Sequence, residues 1–155
     1  MQDLPHHYFV AAEGTSAGDV LLDAPRVPVI LRSASPAEFG GPGDRWSPET
    51  LLLGAVADCF VLTFRAVAQA SRLPWSFLRC EGVGTLDRVD RALQFTEVTL
   101  QVSLSVPAGV NPYQARRALE KAEQNCLITN SLTGTIRLIP EIEVAPQAVG
   151  ELVEA

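Results

Sequence analysis

The chain has 155 residues, 47% of them apolar and 19% charged, which reads as one globular domain with a sizeable core rather than a disordered segment. Its formal charge of -6 argues against nucleic acid or an acidic membrane surface as partner, since both demand a concentrated basic face. No stretch is uninterruptedly apolar over the ~18 residues a membrane-spanning helix needs; the longest apolar run, around Leu51 to Phe64, contains Gly54, Asp58 and Thr63.

The amino terminus, Met1 to His7, lacks the basic-then-apolar pattern of a secretory leader, so a cytoplasmic address is expected. Three apolar-patterned stretches follow: Tyr8 to Glu13, Val20 to Ala24 and Val27 to Arg32. Separated by a Gly/Ser-containing segment and by Pro25, they read as short strands joined by turns. A Gly/Pro-rich loop spans Ser35 to Trp46. Ser47-Pro48-Glu49 then opens a helix, with a capping serine, a proline at the first helical position and an acid in the first turn. The helix is expected to run to about Ser71, before Pro74. Its middle is apolar on nearly every side, from Leu51 and Leu52 through Val56, Cys59 and Phe60 to Phe64. Such a helix needs cover all round. One small sheet covers one side, and a second subunit would cover the rest.

Phe77 to Leu86 reads as a longer strand, followed by a turn over Asp87 to Arg91. In the next strand Val98, Leu100, Val102, Leu104 and Val106 alternate with polar residues, the pattern of a half-buried antiparallel strand. Asn111-Pro112-Tyr113-Gln114 opens a second helix, with Ala115, Ala118, Leu119, Ala122 and Cys126 on its inner face. That helix must stop between Asn125 and Asn130. A last strand covers Gly134 to Val144, and residues 145–155 are expected to form a loosely ordered tail. The order of elements predicts an α+β fold with an antiparallel sheet, in a single domain over 1–155 with its core at about 8–144.

No metalloprotease, Cys-x-x-Cys, phosphate-loop or dinucleotide-glycine motif occurs, so neither metal nor cofactor is expected. His6 and His7 would serve a cysteine only if the amino terminus folded over it. Three cysteines remain, an odd number whose scatter fits no disulfide scaffold. Cys59 lies mid-helix in an apolar run and Cys126 at the inner end of a helix; each by itself is compatible with simple packing. Cys80, between Arg79 and Glu81 in a strand, is read as packing.

The segment Ser47-Pro48-Glu49-Thr50-Leu51 to Ala57-Asp58-Cys59-Phe60 resembles the Asn-Pro-Glu-x-Leu to Ala-Cys-Phe signature of the OsmC/Ohr family, named for osmotically inducible and organic hydroperoxide resistance proteins. Lys121-Ala122-Glu123-Gln124-Asn125-Cys126-Leu127 resembles its second signature, and the likeness covers about Tyr8 to Val144. The resemblance implies an OsmC-like fold, with antiparallel sheets wrapped around central helices in an intertwined homodimer. It also implies a thiol peroxidase that reduces organic hydroperoxides with electrons from a dithiol such as a protein-bound lipoyl group. In that reading Cys59 is the peroxidatic cysteine and Cys126 the resolving one, joined as a disulfide during turnover. Glu49 matches the family's motif acid, which holds an arginine near the thiolate. Ten residues of straight helix advance about 15 Å, so Glu49 is expected to act across the dimer rather than on its own subunit's Cys59. No arginine stands at the family's usual places; Arg45 is the best substitute as thiolate partner and Arg32 the next. Asp58 would oppose ionisation of Cys59 unless it points elsewhere. Two other readings are an OsmC-fold protein with little peroxidase activity that binds an apolar molecule in the dimer cleft, and a dimer whose cysteines only pack.

Overall fold

A computed structural model describes residues 2–147; the expected tail lies outside them from residue 148 onward, and 145–147 carry no regular structure. The chain forms two compact units, the first ending at Leu52 and the second beginning at Leu53.

In the first unit β1 (Ala11–Glu13), β2 (Val20–Asp23) and β3 (Leu31–Ser33) form an antiparallel meander, with Ala12 opposite Leu22 and Leu22 opposite Leu31. The strands are shorter than the apolar pattern predicts. Pro25 and Pro28 have no N–H to offer a ladder, so Ala24 to Ile30 becomes a connection. Its turn is closed by the Val27 N–H donating to the Ala24 carbonyl at 3.1 Å, with Arg26 in the left-handed region at φ 69°. In the glycine-rich loop the backbone at Gly41 runs so close to the Ser35 carbonyl that a Cβ would stand 1.6 Å from its oxygen. Only glycine fits there. The loop ends where the Ala34 N–H donates to the Trp46 carbonyl at 2.8 Å.

Helix α1 (Pro48–Ala70) starts as its sequence predicts. Ser47 and Thr50 cap it reciprocally: the Thr50 N–H donates to Ser47 Oγ at 3.2 Å and the Ser47 N–H to Thr50 Oγ1 at 2.9 Å. Its buried residues are Val56, Phe60, Phe64 and Ala68, a single stripe at four-residue spacing. Leu62, on another side, is 51% exposed. By length and composition α1 is apolar enough to cross a membrane, yet the same helix supplies the core stripe of a sheet-and-helix unit.

In the second unit β4 (Phe77–Val89) and β5 (Ala92–Val106) form a long antiparallel hairpin. The turn is tighter than the five residues expected. Asp90 and Arg91 both adopt positive φ, 48° and 73°, which matches the twist of a two-residue hairpin and carries pairing to Val89 opposite Ala92. Helix α2 (Pro112–Asn125) follows, capped by Asn111 Oδ1, which accepts from the Tyr113 N–H at 2.9 Å. Strand β6 (Thr135–Val144) then lies parallel to β5, from Glu97 opposite Thr135 to Val106 opposite Val144. This sheet is therefore mixed, not wholly antiparallel. The strand pattern carries no direction, and the α2 crossover returns the chain to the start of β5.

The alternating apolar residues of β5 form one buried cluster with the α1 stripe and with Ala115, Ala118, Leu119 and Ala122 of α2. Helix α1 approaches β4 closely, because a Cβ at Gly82 would already stand 3.3 Å from the Leu53 carbonyl oxygen. Phe64 is fully buried and meets Trp75 edge-on, with ring centroids 5.3 Å apart at 77°. Phe64→Ala is expected to cost about 3–5 kcal/mol, read as a lower urea midpoint at unchanged m-value.

Candidate redox site

Cys59 lies in α1 one residue before the buried Phe60, on the flank of the stripe rather than in it, and is half-buried. One residue advances about 100° round a helix, so it faces a border of the core. Thr63 stands one turn further on the same flank, with its Oγ1 3.9 Å from Cys59 Sγ. Asp58 is exposed, and so is Arg65.

Cys126 is reached by a different route. Helix α2 stops at Asn125, and Cys126 leaves it in an extended conformation (φ -70°, ψ 110°) that turns its side chain into the core, where its exposure is 0%. The turn is locked from behind. The Cys126 carbonyl accepts from Thr129 Oγ1 at 3.0 Å and from the Asn130 N–H at 3.1 Å. Burial pushes the Cys126 thiol up; the Thr129 backbone N–H pulls the other way, and hydrogen bonding and charge from Cys59 push it up again. The two cysteines, distant in the chain, are thus neighbours in the fold.

The third cysteine belongs to the same neighbourhood. Cys80 is on the inward face of β4, opposite Val102, and packs against the core. Burial raises its thiol to about 12, helped by the charge of Cys126 and of Glu81. Cys59, Cys80 and Cys126 are all free thiols.

The charged residues singled out from sequence lie in the first unit. Arg45 is committed to acids there: its Nε donates to Asp19 at 3.3 Å and its Nη1 pairs with Asp44 at 2.9 Å. The hydrogen bond to Asp19, foremost, holds the guanidinium above its ordinary value. Arg32 shares the same Asp19, at 3.5 Å. Glu49 sits in the first turn of α1 with one carboxylate oxygen, Oε2, buried and without a hydrogen-bond partner among the described residues. Sequence reading overlooked Thr63 and Thr129. Four-residue spacing from Cys59 along a helix was the available signal for the first; nothing local marks the second, which depends on how α2 ends.

A meander, a long apolar helix and a hairpin extended by a parallel strand through a crossover helix is the α+β architecture of OsmC-like proteins, and solved structures agree. An OsmC-like protein of unknown function from Vibrio cholerae superimposes with a TM-score of 0.79 at 15% identity, over 88% of this chain and 100% of that one. An organic hydroperoxide resistance protein OsmC from Legionella pneumophila gives 0.71 at 22% identity, over 92% of this chain and 100% of that one. In sequence the chain is 24% identical over 149 residues to YmaD of Bacillus subtilis, an uncharacterized protein, covering 94% of this chain and 98% of that one. The profile of the OsmC-like protein family matches residues 41–141. The chain belongs to the OsmC-like protein family.

Alkylation should rank the three thiols. With iodoacetamide at pH 8 and peptide mass spectrometry, Cys59 is expected to react ahead of Cys80 and Cys126, because burial keeps those two thiols protonated and only the thiolate attacks. Base should also weaken the fold. The Cys80 thiol keeps its proton up to about 12 when folded but sheds it from about 9.0 when unfolded, so unfolding is favoured increasingly as pH rises between those values.

Proposed function

We propose that the protein is a thiol-dependent peroxidase that reduces organic hydroperoxides to alcohols. The observation that carries this reading is a half-buried Cys59 close enough to the buried Cys126 to raise the Cys126 thiol. The Cys59 thiolate attacks the distal peroxide oxygen, the O–O bond breaks, and the departing alkoxide takes a proton to leave as alcohol. Cys59 is then a sulfenic acid. Cys126 attacks its sulfur, a disulfide forms, and hydroxide leaves with the Cys126 proton as water. An external dithiol, such as a lipoylated protein, returns two electrons by exchange. The apolar sequence around Cys59 favours alkyl over hydrogen peroxide.

The protein works as a homodimer in the cytoplasm. Support comes from α1, which buries one stripe and leaves Leu62 about half exposed. Glu49, with its unpartnered buried oxygen, serves as the orienting acid for the partner subunit's site. Arg45 remains the candidate thiolate partner in that assembly, on condition that it exchanges Asp19 for the new contact. A second reading, an apolar-ligand carrier with little peroxidase activity, is favoured by a groove of about 370 Å³ walled by Val10, Leu22, Val27, Val29, Leu31 and Leu51.

One equivalent of cumene hydroperoxide is expected to remove two hydrogens from the mass of the protein. Cys59→Ser should abolish the change, and Cys126→Ser should halt at a sulfenic acid that dimedone traps. An unchanged mass in the native protein would favour the carrier reading. Light scattering should give about twice the 16.7 kDa chain mass; Leu62→Lys, which puts a charge on the uncovered side of α1, is expected to shift it toward monomer.

A further inference from the structure

Ionised sulfur can accept hydrogen bonds but cannot donate them. Cys59 Sγ and Thr63 Oγ1 stand 3.9 Å apart, and with a neutral thiol either atom serves as donor. Once Cys59 loses its proton, only the threonine hydroxyl can donate, to an acceptor now carrying full charge. The contact therefore strengthens in one protonation state alone, which is the condition for a hydrogen bond to favour ionisation.

The hydroxyl's placement is unusual for its position. A serine or threonine inside a helix commonly turns its hydroxyl back to the carbonyl one turn earlier. Ser71 at the end of α1 does this, donating to the Val67 carbonyl at 2.8 Å. Thr63 bonds instead to the sulfur of the residue one turn earlier. Because residues four apart stack on one helix face, and the buried Phe60 and Phe64 fix the roll of α1, the hydroxyl is held at the sulfur by the core itself. Arg32 and Arg45, meanwhile, are both already paired with Asp19.

We infer that Thr63 is a positioning residue for the redox site, a built-in donor that stabilises the Cys59 thiolate and orients its lone pairs. The inference rests on the peroxidase reading for its purpose, though not for its test. The titratable group that faces Cys59 from another element is Cys126, with Cys80 behind it; the charged neighbours on α1, Asp58 and Arg65, are exposed. None of these changes when Thr63 does.

The test is the pH profile of Cys59 alkylation, followed by peptide mass spectrometry in the full-length protein. Thr63→Val keeps the shape and removes the hydroxyl. It is expected to slow alkylation at pH 7 by roughly three- to tenfold and to move the profile to higher pH, since one unit of displacement is a factor of ten. Thr63→Ser should restore most of the rate. Should the valine variant fold poorly by circular dichroism, Thr63→Ala carries the same expectation, as alanine is the most favourable helix residue. A profile for Thr63→Val or Thr63→Ala that coincides with the native one overturns the inference, and so does a Thr63→Ser profile no better than that of the hydroxyl-free variant. Alkylation consumes no peroxide. Failure of the peroxidase reading would leave a shifted profile standing, whereas turnover with an unshifted profile removes Thr63 alone.

Discussion

Everything at the sulfur site follows from how one face of α1 is pinned. Val56, Phe60, Phe64 and Ala68 are driven out of water together, and the apolar face of β5 is what receives them. A helix docked by a single stripe has no freedom to roll. Cys59 and Thr63, one position before two of the buried aromatics, are therefore carried to the same border of the core, half-buried rather than sealed. Had the stripe included position 59, the sulfur would be buried like that of Cys126; had it fallen opposite, the sulfur would face open water.

The second constraint is where α2 stops. Its apolar face continues the same core through Ala115, Ala118, Leu119 and Ala122, and the chain then leaves the helix so that Cys126 continues inward. Two threonines play parallel parts at the two cysteines. Thr63 meets the sulfur of Cys59, and Thr129 both fastens the backbone that aims Cys126 and turns its N–H to that sulfur. The thiols are also differentiated by burial. Burial raises the thiols of Cys126 and Cys80, so both keep their protons to higher pH than a free cysteine does.

Charge is gathered within the first unit. Asp19 gathers Arg32 and Arg45 against the glycine-rich loop, where proline and glycine have already removed the option of extending the strands. Glu49 contrasts with them, as an acid whose buried Oε2 has no hydrogen-bond partner among the described residues. An acid left so is costly.

Much was legible in the residues alone. The Ser47-Pro48-Glu49 start, the alternation along β5, the Asn111 cap and the arrest of α2 before Asn130 are local devices, written within one or two turns of chain, and the family membership follows from motifs of the same short range. Strand ends were less legible where Pro28 intervened, and the hairpin turn shrank because Asp90 and Arg91 tolerate positive φ. The direction of β6 was beyond local pattern, since period-two alternation is the same in parallel and antiparallel strands. So was the gathering of Cys59, Cys80 and Cys126. Sequence determined which residues are apolar, where helices begin and which side chains carry chemistry. Only tertiary packing decided that three thiols from a helix, a strand and a helix end share one core, because burying a common apolar surface is what brings those distant segments together.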